Sequence, residues 1–274
     1  VTGVQTCALP IWGKVQAVNV IGVEDYLLSV ISSEMKATAT MEYLCTHAVI
    51  SRSWVMSQIN ARKNRSPYLT PEELKGLSSL PYMVTKLSSD RVSSGDDSVS
   101  GEYLKWFDHD DHKNFDVCAD DHCQRYQGLS MAVGENVRRA IDRTWGEVLS
   151  YDGKICDCRF YKCCGGKTEL FSTCWEDKDY PYLPSLPDTP GHDPEGHSFC
   201  DTSDESILSQ VLNDYDLETK DFYRWKVEYT QDELAALIKD RTGIDYGRIR
   251  DLQPVARGTS GRLYRLRIVG EKCE

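Results

Sequence analysis

A chain of 274 residues with 40% apolar residues is long enough to bury a sizeable core and too apolar to be disordered. Its net charge of -11 speaks against nucleic acid as a partner, because phosphate contacts need a basic patch. No apolar run is long enough to cross a bilayer, and the charge leaves a neutral sugar substrate open.

In chain order, residues 1–11, VTGVQTCALPI, resemble a translated sequencing-library adapter and are set aside with Cys7. A strand pattern follows in Val15, Ala17, Val18 and Val20, then a helix over about 23–35 and a second over about 41–60. Residues 61–102, rich in Ser, Pro and Gly, read as a loop-like insertion. Beyond it come a Cys/His cluster, a helix near 135–143, and β segments near 148–151 and 154–161. Helices near 204–213 and 231–240 and strands near 248–255 and 262–269 complete the order. The expected class is α+β, with mixed helices and short strands around a substrate groove, incomplete at both ends. The chain reads as a fragment (12–274) of a longer, exported or anchored protein whose native N-terminus is missing.

Two charged residues interrupt apolar helix faces. Leu27, Val30 and Ile31 form a stripe whose next position is Glu34. A carboxyl held against apolar neighbours has a raised pKa, which suits a general acid near neutral pH; a helix end turned to solvent is the plainer reading. On the second helix Arg52 falls among Leu44, Ala48 and Val55. A buried guanidinium needs a partner, and either a structural carboxylate or a bound substrate would serve.

Eleven cysteines are many for a reducing cytosol. They could be buried thiols, disulfides of an exported protein, or metal ligands. His112, Cys118, His122 and Cys123 fit H-x5-C-x3-H-C, with His109 in reserve. Two thiolates and two imidazoles make a closed tetrahedral zinc set, and such a site is structural. The competing reading is a Cys118–Cys123 disulfide on an acidic loop. Further on, YKCCGGKT (161–168) reads as a turn after a strand. Its Gly165 and Gly166 permit positive φ and close approach of a ligand, with Thr168 and Trp175 nearby; an ordinary turn explains it as well.

The ordered set VEDYLLSVISSEM (23–35), HAVISRSW (47–54), DDHCQRYQG (120–128), AIDRTWGEVLSYDGK (140–154), CCGGKT (163–168), WEDKDYPYLPSLPD (175–188) and SGRLYRLRIVG (260–270) resembles the stage II sporulation protein D family. The resemblance implies a peptidoglycan lytic transglycosylase, or a non-catalytic enhancer of a cell-wall amidase. It makes Glu34, in Ser33-Glu34-Met35, the acid that protonates the bond between N-acetylmuramic acid and N-acetylglucosamine. One carboxylate then suffices, because the muramic 6-hydroxyl is the nucleophile and the usual second carboxylate is not needed. Peptide-stripped glycan is the implied substrate, an amidase the implied partner, and zinc in the His/Cys segment the implied cofactor. Arg52, Gln124, Tyr126, Gln127, Cys164, Gly165, Gly166 and Thr168 are the expected glycan-binding residues. The sequence departs from the family at Cys163 and Cys164, where serines are usual, and at His47 and Trp54.

Overall fold

The structure, a computed structural model, describes residues 5–11, 14–64, 115–120, 122–129, 134–189, 196–212 and 221–274, without the side chains of 5–16, 62–64 and 211. His109, His112 and most of the insertion expected over 61–102 lie outside the described residues. The fold is α+β, as the sequence implied: helices with short antiparallel two-stranded sheets. It divides into two compact units, one of residues 1–68, 109–163 and 202–222 and the other of 69–108, 164–201 and 223–274.

The first unit opens with β1 (Gln5–Ile11) antiparallel to β2 (Lys14–Val20), Gln5 facing Val20 and Ile11 facing Lys14. The sequence reading set residues 1–11 aside, yet residues 5–11 are strand. Any chain able to extend beside β2 satisfies that strand's backbone groups, whatever its origin. Next come α1 (Val23–Glu34) and α2 (Met41–Asn64). Glu24 and Asp25 sit in the first turn of α1, where the helix dipole favours negative charge. Leu27, Val30 and Ile31 are fully buried, and Leu44 and Ala48 of α2 meet them in one cluster. The third wall is α3 (Glu135–Arg143), which contributes Val137, Ala140 and Ile141 at helical spacing. Burying each such Leu or Ile contributes about 1.5–3 kcal/mol. Thr144 ends α3, its hydroxyl donating to the carbonyl of Ala140 at 2.9 Å.

The β segments expected near 148–161 form only a two-residue ladder, β3 (Ser150–Tyr151) with β4 (Lys154–Ile155). Asp152 and Gly153, at φ 49° and 71°, make the tight left-handed turn between them.

In the second unit α4 (Phe171–Cys174) is a single turn that the sequence reading missed. The first unit also holds α5 (Glu205–Val211), begun by the side chain of Asp204 accepting from the N–H of Ser206. Back in the second unit, α6 (Gln231–Thr242) begins in a capping box of Thr230 and Glu233 and stops at Gly243, φ 73°. The hairpin of β5 (Ile249–Arg257) and β6 (Leu263–Gly270) follows. Its register shifts just after Pro254, which cannot donate to a ladder.

Candidate functional site

Glu34 closes α1, and its carboxylate accepts the backbone N–H of Arg125 at 2.7 Å. The same helix grips the following residues. Ser29, wholly buried, accepts the N–H of Gln127 at 3.1 Å, and Tyr26 stacks on Tyr126 with ring centres 5.5 Å apart. The hydroxyl of Tyr26 donates to Gln124 at 3.1 Å. The segment 124–127 is therefore laid along α1 by four contacts, and the carboxyl of Glu34 is one of them.

The expected ligands of that segment have distinct placements. Gln124 is 1% exposed and bridges Tyr26 to the carbonyl of Ser51, so its side chain holds the segment down. Tyr126 is half-buried and Gln127 exposed, and these two side chains are the accessible ones.

Arg52 resolves the alternative left open by the sequence. It is 2% exposed, donates through two nitrogens to Glu24 at 2.6 and 2.8 Å, and gives a third hydrogen bond to the carbonyl of Glu147 at 3.0 Å. This planar, doubly bonded pair ties α1 to α2 and to the chain after α3. Arg52 thus has a structural carboxylate partner in Glu24. Glu24 is the partner that sequence reasoning missed. An acidic residue in a first helical turn is already explained by the helix dipole, so nothing flagged it. A second buried polar group, His47, lies edge-on to Phe160, and neither ring nitrogen has a partner. Burial lowers its pKa to about 4.

Cys118, His122 and Cys123 bring their ligand atoms within 4.8 Å of one another. The loop is closed by the N–H of Cys123 on Asp120 and the N–H of Tyr126 on Ala119, both at 3.0 Å. Two sulphurs and an imidazole converging on one point are the donor set of a zinc site, so these residues fit the metal. Burial pushes the Cys123 thiol up to about 12, and a cation there would supply the compensation that burial removes. Cys156 and Cys158, by contrast, are buried thiols, Cys158 raised to about 11 by burial and by Cys156.

The glycine turn lies in the second unit. Gly165 and Gly166 take φ of 67° and 108°, which only glycine adopts freely. A side chain on Gly166 would meet the Tyr223 hydroxyl at 3.0 Å, so the turn is also closely packed. Thr168 is engaged by the opposite segment: its hydroxyl accepts the N–H of Leu186 at 2.7 Å and donates to Pro184 at 3.2 Å. Its backbone N–H donates to Leu186 at 2.9 Å, and Asp188 donates to Gly166 at the same distance. Glu169 clasps the β5–β6 turn through the N–H and hydroxyl groups of Thr259 and Ser260. Burial opposes its ionisation, but these hydrogen bonds outweigh it and lower its pKa to about 2. A shallow depression of about 560 Å³ between the start of α6 and residues 245–248 contains none of the expected site residues, and no role is assigned to it.

The family model described as Stage II sporulation protein, SpoIID, matches residues 12–151, just over half of the chain. The chain belongs to the SpoIID family. That membership carries a sporulation-related, cell-wall-associated function. The matched region contains Glu34, Arg52 and the Cys118–Cys123 loop; the glycine turn lies beyond it. A second family model, a domain of unknown function (DUF8618), matches residues 169–274. No curated protein matches the chain. No helix among the described residues is long and apolar enough to cross a membrane.

Proposed function

We propose that this SpoIID chain is a peptidoglycan lytic transglycosylase acting outside the cytoplasm on glycan stripped of peptide stems, with Glu34 as its acid and base. The observation that carries the reading is the anchored carboxyl. Glu34 ends α1, and one oxygen is fixed by the Arg125 N–H in the loop that also holds Cys118, His122 and Cys123. A carboxyl held in place by a backbone donor is a positioned candidate for proton transfer.

In the proposed reaction Glu34 gives that proton to the glycosidic oxygen between N-acetylmuramic acid and N-acetylglucosamine. The bond from the anomeric carbon to that oxygen breaks, and the leaving sugar departs as an alcohol. The muramic 6-hydroxyl bonds to the anomeric carbon and returns its proton to Glu34, leaving a 1,6-anhydro end. Tyr126 and Gln127 offer an aromatic face and an amide to the sugar, and both stand on the backbone that α1 anchors.

Zinc at Cys118, His122 and Cys123, with His112 as the fourth ligand, would cross-link the loop. Four protein ligands satisfy a tetrahedral ion, so its contribution is to hold Tyr126 and Gln127 in place. An amidase that strips peptide stems is the proposed partner, because it produces the substrate.

Incubation with denuded glycan strands tests the reading: anhydro-muramic ends should appear with the wild type. Glycan that is bound yet uncut, together with stimulation of an added amidase, would make the chain an enhancer.

A further inference from the structure

A second cysteine cluster lies wholly in the second unit. The sulphurs of Cys164 and Cys200 are 3.6 Å apart, and a carboxylate oxygen of Asp188 lies within 4.8 Å of both. We infer that Cys164, Asp188 and Cys200 form a second metal site, taking a thiophilic divalent cation such as zinc through two sulphurs and one carboxylate oxygen.

The separation of the sulphurs is the first argument. A disulfide requires about 2.05 Å. Two thiolates on one tetrahedral zinc, each about 2.3 Å from the ion, stand about 3.8 Å apart. The observed spacing matches the shared ion.

Backbone N–H groups point at both sulphurs. The N–H of Cys164 donates to the sulphur of Cys200 at 3.4 Å, and the N–H of Gly166 donates to the sulphur of Cys164 at 3.3 Å. The second bond exists because Gly165 and Gly166, both at positive φ, fold the chain back over the cysteine. Cys164 is only 5% exposed. Asp188 is aimed from behind: one of its oxygens accepts from the Ser198 hydroxyl at 2.7 Å and from the Cys200 N–H at 3.0 Å. Outer hydrogen bonds of this kind orient carboxylate ligands. Two thiolates and a carboxylate around a divalent ion leave one negative charge over. The guanidinium groups of Arg262, on the carbonyls of Cys164 and Lys167, and of Arg224, on that of Gly165, are placed to offset it. Three protein ligands leave the fourth position to water.

Its residues belong to a different unit from the Cys118 loop. The site also gives a reason for a thiol at residue 164, where the family resemblance leads one to expect a serine.

Zinc content of the purified full chain, measured by mass spectrometry of the metal, tests the inference. Cys200→Ser should hold one zinc equivalent fewer than the wild type, and Cys118→Ser should lose a different equivalent, so that the double variant loses both. Asp188→Asn should weaken zinc retention against a competing chelator, whereas Cys200→His, which keeps a ligand, should restore the equivalent. A second readout needs no variant. In the zinc-loaded wild type Cys164 and Cys200 should resist iodoacetamide and become alkylated when a chelator is added. Equal zinc in wild type and Cys200→Ser, alkylation of the two cysteines that is indifferent to chelator, or a Cys164–Cys200 disulfide in non-reducing peptide maps would each overturn the site.

Discussion

Leu27, Val30, Ile31, Leu44 and Ala48 of the first unit are wholly buried, whereas α6 of the second has no buried residue and β5 and β6 are exposed along most of their length. The first unit is held by apolar packing across three helices, fastened by the Glu24–Arg52 pair. The second is held by polar ties: Glu169 on the β5–β6 turn, Arg262 on the carbonyls of Cys164 and Lys167, and the paired segments around Thr168 and Leu186. A polar tie depends on one geometry, while an apolar cluster depends on many small contacts. The two regions should therefore fail under different perturbations.

The largest effect is expected at the buried ion pair of the apolar unit. Glu24→Ala leaves the Arg52 guanidinium buried without its carboxylate, and such truncations cost about 3–5 kcal/mol. Urea unfolding should show that loss, and hydrogen exchange should place it in α1 and α2. A loss below about 1 kcal/mol would mean that packing alone holds the helices and would sharpen the contrast between the units.

Gly258→Ala comes next. An added methyl group would stand 2.2 Å from the Glu169 carboxylate, which must then leave its hydrogen bonds to Thr259 and Ser260. A cost of about 1–3 kcal/mol, the usual range for overpacking, is expected, with faster exchange confined to the β5–β6 hairpin. Exchange spreading to α1 would break the distinction.

Acid should separate the units by pH window. The pKa of His47 falls from 6.5 to about 4 on burial, so the unfolded chain binds the extra proton between those values. The stability of the first unit should therefore fall as pH drops from 6.5 toward 4, with a slope approaching about 1.4 kcal/mol per pH unit. Glu169 has the opposite origin: its pKa is lowered from 4.5 to about 2, so its contribution is present above 4.5 and lost as pH falls toward 2. Between pH 6.5 and 4.5 only the first unit should soften, and His47→Leu should remove that dependence. The smallest effect is expected from Thr230→Ala, which deletes the cap of α6 and should cost about 1 kcal/mol.

Local patterns in the sequence carried much of this fold. Leu27, Val30 and Ile31 announced the buried face of α1, and the helix at 135–143 and the C-terminal hairpin lie close to where periodicity put them. What escaped depends on partners far away in the chain. Glu24 meets Arg52 across 28 positions, and Asp188 with Cys200 meets Cys164 across 24 and 36. Spacing rules see neighbours on one helix or strand, and these residues share neither. The clustering of Cys118, His122 and Cys123 was legible because their spacing is local. Gln124 looked like a sugar contact because amides suit sugars, yet it is buried and its amide already serves Tyr26 and the Ser51 carbonyl.

The central claim is that Glu34 performs the chemical step. The most direct test compares wild type and Glu34→Gln on denuded glycan, following anhydro-muramic ends by mass spectrometry and glycan binding by co-sedimentation. Glutamine can still accept the Arg125 N–H, so the variant should fold and bind as the wild type does while producing no anhydro ends. Anhydro ends formed by Glu34→Gln at the wild-type rate would contradict the account.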